Sequence, residues 1–338
     1  MAMNEVRKRI LTGDTPTGKL HLGHYVGTLE NRVKLQSEYE TFVIIADVHA
    51  LSTLAKEPRL IGQYTREVLL DNLAVGLDPE QVTFFVESGV PELYELASFL
   101  SMYVSHARVL RNPTIKDEIQ NKKLGDSFSL GFVNYPILQA ADILSVRAHL
   151  VPVGVDQVAH LEQARELARD VNTISGKPIF PIPEARVGVI GKLIGTDGNP
   201  KMSKSAGNTI FLSDTSDKIR EKVMSMYTDP KRIHATDPGT VEGNPLFVYL
   251  DAFSAKGDHE KISEYKERYR KGTVGDVEVK QYLVDVLEHF IAPMRNKRRE
   301  YEKDDAFLMA LIERGNEKVR HEAAQVLDEL KGAFQFFV

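Results

Sequence analysis

Short β-branched or aromatic runs alternate with longer amphipathic stretches through the first half of the chain. Arg9–Thr12 reads as a strand ending at Gly13. Thr41–Ala46 is almost wholly apolar, as a strand covered on both faces must be. Val82–Val86 and His149–Val153 follow the same pattern. Between these runs the apolar spacing becomes helical: from about His21 to Gln36, from Pro91 to about Ser105, and over Gln157–Asn172. Pro58 opens another helix, with Leu60, Ile61, Tyr64, Val68, Leu69 and Leu73 as its apolar positions. Strands alternating with helices of this length predict βαβ units around a parallel sheet.

Pro178, Pro181 and Pro183 mark an irregular connection, and residues 188–208, rich in Gly, Lys and Ser, read as a loop or small hairpin. From about Asp214 the pattern is helical almost to the end. The expected organisation is therefore α/β: a parallel-sheet unit over 1–213, an all-helical unit over 214–299, and a helical segment over 300–338 that packs back on the first unit. A length of 338 residues suits about two domains at roughly 150 residues each.

Composition narrows the chemistry. With no cysteine, disulfides, cysteine-ligated zinc, iron–sulfur clusters and thiol nucleophiles are excluded. A metal would bind through oxygen or imidazole, most simply as Mg²⁺ delivered with a nucleotide. No apolar run has membrane-spanning length and the N-terminal stretch has no signal-peptide core, so a cytoplasmic protein away from membranes is expected. The net charge of −5 argues against a surface that coats nucleic acid throughout. Two local basic segments, Lys266–Lys271 and Arg295–Arg299, are either RNA-facing patches or solvated helix faces.

Three segments carry candidate chemistry. Pro16-Thr-Gly-Lys-Leu-His-Leu-Gly-His24 lies at a strand-to-helix turn, where backbone N–H groups attract anions and Gly18 and Gly23 permit close approach. His21 and His24, three apart, share one helical face; a metal reading of the pair would also need Asp47 and His49. Lys201-Met-Ser-Lys-Ser205 offers two lysines and two hydroxyls on a loop, suited to clamping a polyphosphate. In Asn134–Leu144, an otherwise apolar helix, Tyr135, Gln139 and Asp142 form one polar stripe that neighbours or a ligand must satisfy.

Taken together, these segments resemble a known family. Lys201–Ser205 reproduces the KMSKS motif of class I aminoacyl-tRNA synthetases at every position. His21-Leu-Gly-His24 resembles their HIGH motif, about 180 residues earlier. Tyr135-Pro-Ile-Leu-Gln-Ala-Ala-Asp-Ile-Leu144, Asp47-Val-His-Ala50 and Val153-Gly-Val-Asp-Gln157 resemble segments of tryptophanyl-tRNA synthetases of bacterial type. The resemblance covers nearly the whole chain, most firmly 9–208. It implies a Rossmann-like catalytic domain, an all-helical anticodon-binding domain, and a homodimer; the apolar helices at 60–73 and 91–104 read either as part of the dimer interface or as ordinary core.

The resemblance also implies site residues. Asp142 would accept the indole N–H; Tyr135 and Gln157 would hold the ammonium, with Gln139 and His49 beside the pocket. ATP would lie along Thr15, Pro16, Thr17, Gly23 and His24, along Gly154, Val155 and Asp156, and along Leu193 and Lys201, Met202, Ser203, Lys204 and Ser205. His21, His24, Lys201, Lys204 and Mg²⁺ would stabilise charge on the phosphates. The implied reaction consumes ATP and L-tryptophan and charges tRNA(Trp), with the KMSKS loop closing on ATP and reopening for pyrophosphate release.

The sequence departs from relatives at Thr15, where a longer polar residue is frequent, and at Val155, where glutamate is frequent. A phosphate-contacting lysine of some relatives has three candidates here: Lys116, Lys122 and Lys123. Two rivals stay open at this point: the tyrosyl enzyme, and a non-aminoacylating paralogue that binds tryptophan or ATP.

Overall fold

A computed structural model describes residues 7–121, 128–154, 157–187, 193–200, 202–229, 232 and 234–337. Its sheet contains β1 (Arg9–Asp14), β2 (Glu40–Ile45), β3 (Val82–Val86), β4 (Leu150–Val153) and β5 (Glu184–Val187). The order is β3-β2-β1-β4-β5 and every pairing is parallel. The winding reverses between β1 and β4, joined at Ile10↔Leu150, and opens a crevice at the carboxyl ends of those strands. β2 is buried at every position after Glu40, which is why it reads as a continuous apolar run, and β1 is buried over Ile10, Leu11 and Thr12.

β5 departs from the expected irregular connection. Its Glu-Ala-Arg-Val residues are all exposed, so no apolar alternation marks it; it forms by pairing with β4 at the sheet edge.

The expected helix from His21 to Gln36 is broken into α1 (Leu22–His24), a π-helical turn at Tyr25–Leu29, and α2 (Glu30–Leu35). The wider turn re-aims the residues after His24. Next come α3 (Leu51–Leu54), α4 (Arg59–Ala74) and α5 (Glu92–Ser101). The helix expected to run to Ser105 stops earlier because Ser105 caps the next one, its hydroxyl accepting the Arg108 N–H at 3.2 Å. That next helix is α6 (His106–Leu110), followed by α7 (Pro113–Asn121), α8 (Leu130–Ser145) and α9 (Val158–Ser175). In α8, Ser129 caps the start and Pro136 removes one internal N–H donor.

Beyond Asp214 the described elements are helical: α10 (Ser216–Met224), α11 (Pro245–Phe253), α12 (His259–Arg270), α13 (Asp276–Tyr301) and α14 (Asp305–Ala333). Their core is continuous with the first unit, since Leu20, Met202 and Ile210 share one apolar cluster with Ile219, Leu246 and Leu283. α14 lies over the edge strand β3. Asn316 accepts the Val86 N–H at 3.0 Å, and a Cβ on Gly315 would stand 1.7 Å from the Phe84 carbonyl oxygen.

The first basic segment is a solvated helix face whose cations are ion-paired. Lys266 pairs with Asp251 at 2.6 Å, Arg268 with Glu278 at 3.1 Å and Arg270 with Glu242 at 2.6 Å. Arg295 and Arg298 are buried inside ion-pair networks, so those two are neither RNA-facing nor solvated. A buried guanidinium needs several acceptors: Glu67 and Asp71 of α4 supply them to Arg298, and Glu288 of the same helix with the Asp214 carbonyl supplies them to Arg295.

Candidate active site

A cavity of about 450 Å³ fills the crevice over β1 and β4. Thr15, Thr17 and His24 line one end; His49, Tyr135, Gln139, Asp142 and Gln157 line the other, with Gly154 between. The predicted stripe of α8 thus faces a hollow.

At the first end, His21 is not on a helical face, contrary to the expected pairing. It is the extended N-cap of α1, and its Nδ1 accepts the Gly23 N–H at 3.1 Å. His24 answers reciprocally, its Nδ1 accepting the His21 N–H at 3.1 Å. The rings stand 3.9 Å apart. Burial lowers the His24 pKa to about 4, with Lys204 and Arg32 acting in the same direction and Asp14 opposing. His24 is therefore neutral near pH 7, and because Nδ1 accepts, the proton resides on Nε2.

Lys204 closes on this segment, donating to the Gly18 carbonyl at 2.9 Å and lying 3.4 Å from the Thr17 hydroxyl. Gly18, at φ 117°, holds a left-handed turn that suits glycine. Burial brings the Lys204 pKa down to about 8, against the pull of Asp14 and Asp71. Below the segment, Asp14 and buried Arg32 form an ion pair at 2.5 Å, with Arg32 also donating to Thr12 at 2.8 Å and Asn72 at 3.0 Å.

At the other end, Asp142 is buried and its Oδ1 has no hydrogen-bond partner. Burial first, then the charges of Glu87 and Asp47, raises its pKa well above the usual carboxylate range. The stripe is thus left unsatisfied at Asp142, where neighbouring backbone was one possible partner. The Tyr135 hydroxyl lies 3.1 Å from His160 Nε2, and Asn112 meets the other nitrogen of that ring at 3.1 Å. Gln139 donates to Gln157 at 3.4 Å. The His49 ring stands edge-on to Tyr135 with centroids 4.6 Å apart.

The four-residue metal set is not assembled. Asp47 is engaged by the N–H and hydroxyl of Ser88, and the described residues contain no group of three or more His, Asp or Glu side chains placed to hold a metal.

Several expected residues stand off the cavity wall. Pro16 is buried and Gly23 serves the His21 cap. Leu193 and Met202 sit in the core, joined by a backbone hydrogen bond of 3.1 Å, and the Ser203 N–H donates to Asn208 at 2.7 Å. Lys116 points to solvent from α7, whereas Glu118, two residues on, lines the cavity. Val155, Asp156, Lys201, Lys122 and Lys123 lie outside the described residues, as does the Ser205 side chain.

Sequence reasoning missed Asp14, Arg32, Glu118 and His160. They stand among other polar residues, and nothing in the spacing tells which of them share a site.

Comparison with known proteins agrees with this geometry. The family model described as tRNA synthetases class I (W and Y) matches residues 3–292. A tryptophan–tRNA ligase of Streptococcus pyogenes serotype M3 is 50% identical over 333 residues, covering 96% of this chain and 97% of its own. One from Streptococcus mutans serotype c gives the same identity and coverage. The crystal structure of tryptophanyl-tRNA synthetase from Campylobacter jejuni complexed with ADP and tryptophan superposes with a TM-score of 0.84 at 32% identity, covering 97% of this chain and all of that one. The chain belongs to the class I tRNA synthetases of the tryptophan and tyrosine family.

Proposed function

We propose that this chain is a tryptophan–tRNA ligase that takes ATP as its magnesium complex and works in the cytoplasm. The tryptophan carboxylate attacks the α-phosphorus; the new O–P bond forms as the bond to pyrophosphate breaks, giving tryptophanyl-adenylate. A hydroxyl of the terminal tRNA(Trp) ribose then attacks the acyl carbon and AMP leaves. No protein nucleophile is required, so catalysis is alignment plus stabilisation of phosphate charge.

The observation that carries the reading is the orphaned, buried Oδ1 of Asp142 in a cavity that also reaches His24. An indole N–H completes that oxygen, whereas phenylalanine leaves it bare and is rejected. Gln139, Gln157 and Tyr135 orient the amino acid. His24, through Nε2–H, donates to a phosphate oxygen. Lys204 supplies positive charge, as does Lys201. Thr15, Thr17 and Gly154 line the nucleotide's path. The donors at the phosphate end are neutral or cationic, which suits a magnesium ion held by the phosphates themselves. The helical unit from 214 to 299 reads the anticodon, and the enzyme acts as a homodimer.

Pyrophosphate exchange with each aromatic amino acid tests the assignment. Exchange with tryptophan is expected; exchange with tyrosine and none with tryptophan would overturn it.

A further inference from the structure

The loop between β1 and α1 is held at both ends by two successive residues of α4. Asn72 takes the start: its amide donates to Asp14 at 3.1 Å and its carbonyl accepts from Arg32 at 3.0 Å. Asp71 takes the end: its Oδ2 accepts the Leu20 N–H at 2.7 Å, one residue before His21. Both side chains are fully buried. The Leu20 carbonyl in turn accepts the Leu212 N–H at 3.1 Å, which ties the same residue to the chain emerging from the KMSKS loop.

The other oxygen of Asp71 is bound by Arg298 from the far end of α13. Arg298, itself 2% exposed, also donates to Glu67 at 2.5 Å and Glu302 at 2.8 Å. A carboxylate placed this deeply is retained in the ionised form by that guanidinium and the Leu20 N–H. Burial raises Asp71 to about 6, still below neutral pH.

We propose that Asp71, braced by Arg298, is a positioning residue for ATP that fixes the entry of the His21–His24 segment and links it to α13. The proposal rests on the tryptophan-ligase reading. Asp71 touches no reacting atom; it acts through Leu20, whose displacement would move His24 away from the phosphates. A misplacement in this segment affects ATP and leaves tryptophan untouched, because the indole end of the cavity hangs from α8 and α9.

The test uses the full chain in tryptophan-dependent pyrophosphate exchange, with Asp71→Asn, Arg298→Lys and Glu302→Gln. Asp71→Asn keeps the shape and an acceptor but loses the charge that meets Arg298. It is expected to raise the KM for ATP roughly tenfold while the KM for tryptophan stays within about twofold. Arg298→Lys reaches Asp71 without holding both glutamates, so a smaller shift of the same kind is expected. Glu302→Gln loosens the solvent side of the network and should leave both constants unchanged.

Hydrogen exchange at the Leu20 amide should quicken in the first two variants and not in the third. An unchanged KM for ATP in folded Asp71→Asn overturns the proposal, as does an equal rise in both constants across all three variants. If Asp71→Asn does not fold, Arg298→Lys decides by the same criteria. A wild type without tryptophan-dependent exchange would sink the functional reading instead, and the Leu20 amide would still report on the Asp71 brace.

Discussion

The ammonium of Lys204 donates to the carbonyl of Gly18 across 2.9 Å, joining two segments that stand 186 positions apart in the chain. One belongs to the KMSKS segment and the other to the loop that enters α1. The contact holds a cation close enough to His24 to lower its pKa.

Because burial lowers Lys204 to about 8, its charge is present below that pH and lost above it. The KM for ATP in pyrophosphate exchange should therefore rise as pH climbs from 7 to 9. Lys204→Arg, which keeps its charge throughout, should flatten the profile. A wild-type profile already flat over that range would remove Lys204 from its assigned role.

Asp142 is a site where function is held at the expense of stability. Asp142→Ala should reduce discrimination between tryptophan and phenylalanine by more than about tenfold, on the order of 1.4 kcal/mol. Unchanged discrimination would rule out the indole contact. In the ligand-free protein, Asp142→Asn should raise the melting temperature. A carboxyl whose folded pKa is raised contributes stability below its unfolded pKa and loses it as pH rises. The gain should thus be larger at pH 8 than at pH 5, as paired thermal melts would reveal.

His24 has the opposite sign. Its folded pKa, lowered to about 4, lies below the unfolded value of 6.5, so its contribution is complete above 6.5 and lost as pH falls towards 4. His24→Asn should lose less stability than the wild type between pH 6.5 and 4.5 in denaturant titrations. It should also weaken ATP, since the Nε2–H donor is gone.

The chain contains no tryptophan, so added L-tryptophan is the sole indole fluorophore in the mixture. Transfer from water to a buried pocket should shift its emission, and Asp142→Ala should diminish the shift. An emission spectrum indifferent to excess protein, with and without ATP, would refute the pocket.

Much of the architecture was legible because burial leaves a periodic trace. β2 and β3 were readable as apolar runs since most of their positions on both faces are covered, and β1 as a short β-branched run ending at Gly13. α8 was readable as an apolar helix with one polar stripe. β5 left no trace, because an exposed edge strand owes its existence to its neighbour. The break after His24 and the cap at Ser105 likewise depend on hydrogen bonds that spacing alone does not encode.

The sequence by itself pointed to the reaction class and the amino acid through resemblance, because HLGH, KMSKS and the Tyr135–Leu144 segment are local strings that match a family's motifs without coordinates. Only the tertiary structure decided which buried charges are spoken for. Arg298, read locally as part of a basic patch, is consumed by Glu67 and Asp71 of α4, and Arg295 by Glu288 of its own helix and the Asp214 carbonyl, whereas Asp142 remains without a partner on Oδ1. Satisfaction of a buried charge is a property of what folds against it, and Asp71, Leu20 and Arg298 meet only when α4, the loop into α1 and α13 pack together.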